Sequence, residues 1–218
     1  MRTRSIRFGN VVIALLVAGV VFAGPASASG QFVVTNTKSE TLTHGILLDS
    51  ATFQYPGGIC EADFESTVSE ESTLLFIYPS FSNCFDTLLD RPVHVESNEC
   101  FFTVHPSEGE GSTFTGSGEL ECPAGKSIVT RATNESKQVA CTTTVGPQQI
   151  GPIHFQDLSS GVNISWNLTN LKYQNQSGVP FFGCIPKTGE YTNGSSSVSI
   201  TFHAFDTEAS PLDLDLVG

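Results

Sequence analysis

The sequence is poor in basic residues. Ten Lys and Arg stand against 22 Asp and Glu, which gives a formal net charge of −12 at pH 7. Nucleic acids and anionic membrane surfaces are themselves negative and would repel such a protein. We therefore expect no nucleic-acid partner, and we interpret the acidity mainly as a feature that favours solubility.

Long apolar segments are also scarce. One uninterrupted run, Val11–Ala23, follows the arginines of Met1–Arg7 and precedes the small residues Ala26-Ser27-Ala28, a pattern typical of a secretory signal peptide. A membrane anchor is the alternative, but the run is shorter than the roughly 20 residues that cross a bilayer. We predict cleavage after Ala28 and a secreted, extracellular protein that is not associated with a membrane. Loss of three arginines leaves seven basic and 22 acidic residues, a net charge of −15.

Motifs of common metal and catalytic sites are missing. The absence of a Cys-x-x-Cys pair argues against a zinc ribbon or a thioredoxin-like site. No Gly-x-Ser-x-Gly elbow occurs, and Gly116-Ser117-Gly118 falls within a strand pattern instead. His94 and Glu96 share one strand face, while His105 and His154 fall in or beside turns, without the spacing of a metal site. We predict no metal, no cofactor and no catalytic residue.

Helical periodicity is absent after the signal peptide. Apolar and polar residues instead alternate in short runs, most clearly in Gly161–Asn170 and Val198–Phe205. About ten to twelve such strands, separated by turn residues, predict an all-β fold: a disulfide-stapled antiparallel β-sandwich of immunoglobulin-like type. We expect residues 29–205 to form this single domain and residues 206–218 to form an acidic, loosely ordered C-terminal tail.

Two of the predicted strands carry specific expectations. Ser72–Tyr78 is apolar at both parities, which suits a strand that is buried on both faces or lies at the centre of a sheet, and Pro79 is expected to end it. In Thr113–Cys122, Gly116 and Gly118 indicate a bulge or a closely packed neighbour.

All six cysteines follow the predicted signal peptide, which in an exported chain predicts three disulfides. Six cysteines allow 15 pairings, and the sequence does not choose among them. Pairs that close short loops are preferred, each stabilising by ~3 kcal/mol on the chain-entropy account, and the third pair is the remainder. The preferred pairs are Cys84–Cys100, Cys122–Cys141 and Cys60–Cys184. The second would staple a β-ribbon over Glu119–Val145.

Cysteine spacing and one turn motif resemble a known group of proteins. The motifs are Pro79-Ser-Phe-Ser-Asn-Cys84, Val93–Val104, Glu121-Cys-Pro-Ala-Gly-Lys-Ser-Ile128 and Ala140–Val145. From Phe53 to Phe205 the chain resembles a multi-copy group of secreted, cysteine-containing, β-rich actinobacterial proteins of unknown function. The resemblance implies secretion and a β-rich fold, and it transfers no catalytic or binding residue.

Aromatic residues are the first candidates for ligand contact. Trp166, the only tryptophan, has the parity of a core residue, although a sugar-stacking role is the alternative. Tyr173 and Tyr191 have polar surroundings and are the candidate ligand-binding residues. Clustering of these tyrosines with Phe181 on an exposed face would indicate a carbohydrate-binding module, whereas their burial would argue against one.

Acidic residues are the second group of candidates. Two same-strand pairs offer carboxylates for glycoside hydrolysis: Asp63 with Glu65, and Glu119 with Glu121. Acids at this spacing usually form only a solvated strand face. Asp213-x-Asp215 lacks the remainder of a calcium loop.

The sequence therefore predicts a secreted extracellular binding or structural protein, not an enzyme. The alternatives are a carbohydrate-binding module and, less favoured, a secreted hydrolase. The expected partners are the cell envelope or an extracellular polysaccharide or protein, and the chain is expected to be a monomer.

Overall fold

The computed structural model describes residues 29–35, 45–55, 57–68, 72–87, 90–133, 136–177 and 191–218. The predicted signal peptide lies outside these ranges. The described residues contain thirteen strands and no helix, which confirms the all-β class. Among them, no helix has the length and apolar character needed to cross a membrane.

The strands of the described residues follow one another as β1 (Gln31–Thr35), β2 (Gly45–Tyr55), β3 (Gly58–Val68), β4 (Leu75–Asp86), β5 (Arg91–Glu96), β6 (Phe101–Glu110), β7 (Thr113–Glu121), β8 (Ile128–Thr133), β9 (Val139–Val145), β10 (Gln148–Leu158), β11 (Gly161–Ser177), β12 (Tyr191–Phe205) and β13 (Pro211–Val217).

Hydrogen bonds join all thirteen strands into one antiparallel sheet. Their order is β1-β13-β12-β2-β3-β4-β5-β8-β9-β11-β10-β7-β6. Two further pairings, β12 with β11 and β4 with β6, close this order into two rings. Both rings share β11, β12, β2, β3 and β4, and they differ in the three strands that complete them. One is completed by β6, β7 and β10, the other by β5, β8 and β9.

Strand β4 belongs to both rings because its two ends pair differently. Leu75–Ile77 pairs with β6, whereas Phe85 and Asp86 pair with β5. Pro79 lies between these segments and pairs only with β3, so its missing N–H breaks no ladder hydrogen bond on the second side. The expectation that Pro79 ends the strand is therefore wrong.

The core lies on the inward parity of the strands. In β11, the residues Val162, Ile164, Trp166 and Leu168 are all buried, as their alternation predicts. Trp166 is 3% exposed and packs against Phe102, with ring centroids 5.3 Å apart. The core role predicted for Trp166 is confirmed, and a sugar-stacking role for this side chain is excluded.

Two glycines of β7 allow neighbouring elements to approach closely. A Cβ at Gly116 would lie 1.9 Å from the His105 carbonyl oxygen, and a Cβ at Gly118 would lie 2.5 Å from Cδ1 of Ile153. Any side chain at these positions would displace a neighbouring strand or a core residue. The sequence-based expectation of a closely packed neighbour is confirmed.

The C-terminal residues form a strand, which contradicts the expected loosely ordered tail. β13 pairs with β1 from Thr35↔Asp213 to Gln31↔Val217. Leu214 and Leu216 are each 2% exposed, while aspartates occupy the alternate positions. The segment is ordered because its leucines, at a spacing of two, complete the core opposite β1.

The disulfides also differ from the preferred pairing. Cys60 on β3 bonds Cys84 on the adjacent β4, with an S–S distance of 2.02 Å. Cys100 and Cys122 are bonded across the open end of the β6–β7 hairpin, next to the Phe101↔Glu121 pair. The pairs Cys84–Cys100, Cys122–Cys141 and Cys60–Cys184 are therefore wrong, because strand adjacency rather than short loop length selects the partners.

The ribbon expected over Glu119–Val145 is formed in part. β8 and β9 pair as an antiparallel hairpin from Ile128↔Val145 to Thr133↔Val139. Cys141 on β9 is disulfide-bonded, but not to Cys122. Cys184 lies outside the described residues.

Candidate functional site

Three aromatic side chains form a cluster on the outer face of the sheet. Phe76 and Tyr78 of β4 are 41% and 50% exposed, whereas Leu75 and Ile77 between and beside them are fully buried. Phe101 of β6 completes the cluster, with its ring centroid 5.8 Å from that of Phe76 and 5.5 Å from that of Tyr78. We call Phe76, Tyr78 and Phe101 the aromatic cluster.

The aromatic cluster shows that Ser72–Tyr78 is not buried on both faces, whereas the alternative of a central strand is confirmed, because β4 pairs with strands on both of its sides. Both parities of this strand are apolar, but only the aliphatic parity enters the core. The signal in the sequence was the division of residue types: Leu75 and Ile77 alternate with Phe76 and Tyr78. Two outward aromatic residues beside two inward aliphatic ones suit a ligand-contacting face, because aromatic side chains are enriched at binding surfaces.

The aromatic cluster belongs to a row of side chains that crosses six strands. Cross-strand register and ring contact connect each member of the row to the next: His203, Leu48, Glu65, Tyr78, Phe101 and Glu121. The row contains two carboxylates, and each is the register neighbour of an aromatic residue. Directly paired side chains on one face have Cβ atoms about 5 Å apart. Glu65 and Tyr78 are therefore close enough to contact the same ligand, and so are Glu121 and Phe101.

A groove of about 590 Å³ lies beside the aromatic cluster. Its wall combines acidic, hydroxyl and aromatic groups from β2, β3, β4 and β12. The lining side chains that carry polar or aromatic groups are Asp49, Ser50, Asp63, Phe64, Glu65, Tyr78, Ser80, His203 and Phe205. We call this the acidic groove. Its volume falls within the range of small-molecule sites, about 300–1,000 Å³.

The acidic groove lies where the pairing of β2 with β12 is interrupted. The two strands are in register through His203↔Leu48, and pairing resumes at Ser197↔Gln54. Between these points, the carboxylate of Asp49 accepts a hydrogen bond from the Thr201 backbone N–H at 2.7 Å. A side-chain acceptor thus satisfies a backbone donor that the ladder leaves unpaired.

Three other groove residues are held by local hydrogen bonds. The Ser50 hydroxyl donates to Oδ1 of Asp63 at 2.5 Å. Nδ1 of His203 lies 2.6 Å from the Ser160 carbonyl oxygen; because a carbonyl only accepts, Nδ1 carries the proton. These contacts hold three polar side chains, Ser50, Asp63 and His203, at the groove wall.

The acidic pairs considered for glycoside hydrolysis lie on either side of the aromatic cluster. Asp63 and Glu65 belong to β3, Glu119 and Glu121 belong to β7, and β4 and β6 separate the two strands. Three strand spacings correspond to about 14 Å, so an acid of β3 and an acid of β7 lie farther apart than the roughly 5–9.5 Å of catalytic carboxyl pairs, whereas the two acids of each same-strand pair are about 7 Å apart. Asp63 and Glu65 are both exposed, so the pair on β3 lacks the desolvated position typical of a general acid.

The tyrosines proposed from the sequence do not form an exposed site. Tyr173 is 7% exposed, which contradicts the expectation of an exposed aromatic, and its burial raises the pKa of its hydroxyl. Its position in β11 places it on the inward parity, so polar sequence neighbours were misleading. The Tyr191 side chain and Phe181 lie outside the described part of the chain.

His94 and Glu96 form part of a solvated face, as predicted. Nε2 of His94 lies 3.2 Å from Glu96, and Arg131 of the adjacent β8 lies 2.5 Å from the same carboxylate. The hydrogen bond from Arg131 holds the pKa of Glu96 below its usual range. Among the described residues, no group of three or more His, Cys, Asp or Glu side chains could hold a metal ion.

An apolar cavity in the core offers less room for a ligand than the outer groove. It measures about 30 Å³ and is lined by residues including Phe53, Tyr55, Phe102, Trp166 and Leu168. One probe sphere of about 10–15 Å³ is the minimum for a water molecule, so the cavity has the size of one or two waters. The outer groove, and not this cavity, has the volume of a small-molecule site.

Comparison with family models, curated proteins and solved structures found no match to this chain.

Proposed function

We propose that this protein is a secreted binding module without chemistry of its own, and that it binds an extracellular polysaccharide through the aromatic cluster and the acidic groove. The observation that carries the proposal is the exposure of Phe76 and Tyr78 beside a groove of about 590 Å³. Contiguous apolar patches that are exposed on a folded protein commonly mark interaction sites or ligand-binding grooves.

The chemistry of this face suits a sugar ligand. Aromatic rings present an apolar surface against which the C–H face of a sugar ring packs, and nearby polar groups can bond its hydroxyls. Here Tyr78 borders a groove wall with Glu65, Asp63 and Ser80. The combination supports the carbohydrate-binding alternative, on residues different from the tyrosines first considered.

Secretion is supported by the disulfides. Two cross-strand bonds, Cys60–Cys84 and Cys100–Cys122, are of the kind that persists in oxidising compartments. The absence of catalysis is supported by the separation of the β3 acids from the β7 acids, about 14 Å by strand spacing, and by the exposure of Asp63 and Glu65, since a general acid is typically desolvated. The hydrolase alternative requires those groups to converge on one bond.

The immunoglobulin-like sandwich stays a prediction. It requires two sheets joined by Greek-key connections, whereas one continuous order of hydrogen-bonded strands describes this fold. The proposed binding face depends only on the local pairing of β2, β3, β4, β6 and β12.

Binding isotherms on insoluble polysaccharides and cell envelopes, recorded at low and high salt, test the proposed function. We expect saturable binding, and we expect Tyr78→Ala and Phe76→Ala each to weaken it roughly tenfold. Val139→Ala is the matched control, because Val139 is 37% exposed on a different strand and should leave binding unchanged. Absence of wild-type binding, or unchanged binding by both aromatic variants, would refute the proposal.

Light scattering of the mature protein checks the expectation of a monomer, because self-association through the same face would also bury Tyr78. A dimer that dissociates in Tyr78→Ala would identify the aromatic cluster as a self-association surface and overturn the proposed function.

A further inference from the structure

We propose that the polysaccharide bound at this face carries protonated amines, as a polymer of glucosamine does. This inference rests on the proposed function and specifies the charge of its ligand. It follows from the charges around the aromatic cluster, from their register with the aromatic rings, and from the pairing of the strands beneath them.

The aromatic cluster lies between carboxylates on both sides. Glu65 and Asp63 flank it on β3, and Glu121 and Glu119 flank it on β7. Among the described residues, no Lys or Arg belongs to the row or lines the acidic groove, and none forms an ion pair with these four carboxylates. Two of the carboxylates have neutral hydrogen-bond partners: Ser50 for Asp63 and Gln149 for Glu119. Within the described part of the chain, the negative charge of this face is therefore not neutralised by a basic side chain, and a cationic ligand would neutralise it.

Charge and ring are arranged in repeated pairs. Glu65 is the register partner of Tyr78, and Glu121 is the register partner of Phe101. The face of an aromatic ring attracts a cation through its quadrupole, and an adjacent carboxylate adds a direct charge interaction. Each pair therefore suits a sugar unit that stacks on the ring and presents an ammonium group to the carboxylate. Two such pairs lie along the row, as a polymer with a repeating amine requires.

The strand pairing favours a polysaccharide over a basic peptide. Extended peptides commonly bind by adding a strand to a free sheet edge, where backbone groups are unpaired. The row instead crosses β2, β3 and β4 at Leu48, Glu65 and Tyr78, where each strand is in register with the next. Along this part of the row recognition uses side chains, and the face offers rings, carboxylates and the hydroxyls of Ser50 and Ser80.

The test compares soluble oligomers of glucosamine, N-acetylglucosamine and glucose of equal length by titration calorimetry, at a mildly acidic pH where glucosamine is cationic. We expect the glucosamine oligomer to bind roughly tenfold more tightly than the two neutral oligomers. Added salt should remove this preference and leave the neutral affinities unchanged, because it screens only the charge interaction.

Variants separate the two contributions. Glu65→Gln and Glu121→Gln should lower glucosamine affinity toward the neutral level without changing neutral binding, while Tyr78→Ala should weaken all three oligomers. Glu110→Gln is the matched control, because Glu110 is an exposed acid at the distant end of β6 and should have no effect.

Each contrary outcome has a distinct meaning. Equal affinity for the three oligomers, or a preference that survives in both Gln variants, would overturn the charge inference and leave the proposed function standing. Binding of oligolysine with no binding of any sugar would overturn it in favour of a basic peptide ligand. Failure to bind any sugar oligomer, polysaccharide or oligolysine would overturn this inference and the proposed function together.

Discussion

Replacing Leu216 by alanine should destabilise the whole fold, although this residue is the third from the C-terminus. Leu216 is 2% exposed and lies opposite Phe32, which is fully buried. Phe32 in turn packs edge-on against Phe155 of β10, with ring centroids 6.0 Å apart. The C-terminal strand thus covers part of the ring completed by β6, β7 and β10.

The magnitude follows from the groups removed. Leucine to alanine deletes three carbon groups, worth about 2.4 kcal/mol of transfer free energy, and incomplete collapse of the cavity adds to this. We expect a loss of about 3 kcal/mol in the free energy of unfolding. For a domain of this size, that loss lowers Tm by about 6–12 °C.

The neighbouring Val217 provides a matched control. Its side chain is 46% exposed and points away from the core, so Val217→Ala should change stability by no more than about 0.5 kcal/mol. Urea unfolding with intact disulfides is followed through the fluorescence of Trp166, the single tryptophan. Equal midpoints for both variants would refute the reasoning, because they would mean that β13 contributes no core contact.

Further predictions concern ionisation and disulfides. Burial and the charges of Asp157 and Asp213 raise the pKa of Asp215, so ionisation of this carboxyl group opposes folding. Asp215→Asn should therefore raise Tm at about pH 7. The gain in Tm should disappear at about pH 3, below the unfolded-state pKa of about 3.9. Burial and, second, the charge of Asp86 raise the pKa of Tyr55. Wild-type stability should therefore fall above about pH 10, where the tyrosine ionises only in the unfolded state. Tyr55→Phe should reduce this fall, which is measured as the difference between urea midpoints at about pH 9 and about pH 11. Peptide mapping without reduction should find Cys60–Cys84 and Cys100–Cys122 and should link Cys141, which is disulfide-bonded, to the remaining Cys184; a free thiol at Cys141 would contradict this.

Local alternation was sufficient to predict much of the core. The inward positions of β11 and of β12 follow directly from a spacing of two, and Val198, Ile200, Phe202 and Ala204 are buried as expected. The glycines of β7 were informative for a similar reason, since a residue without Cβ inside a strand pattern has a steric explanation. These features depend on a few neighbouring residues and not on the global topology.

Non-local pairing was not predictable in this way. Cys60 forms a disulfide with Cys84 because β3 and β4 are neighbouring paired strands, whereas loop length alone favoured other partners. The alternation of leucine and aspartate in Pro211–Val217 was visible in the sequence, but its strand character depends on β1 at the opposite end of the chain. Charge and terminal position indicated a loose tail, whereas the spacing of two between Leu212, Leu214 and Leu216 indicated a strand.

The candidate site illustrates the same limit at the level of a single strand. Apolar residues at both parities of β4 predicted burial on both faces, because periodicity does not tell which elements cover a face. The closed rings bury Leu75 and Ile77 inside and leave Phe76 and Tyr78 outside. Because hydrogen bonds already join these strands to their neighbours, the outer face can change its side chains without altering the strand order. Ligand specificity is therefore expected to reside in a few outward positions, which is why Glu65→Gln and Tyr78→Ala should alter binding while the fold is preserved.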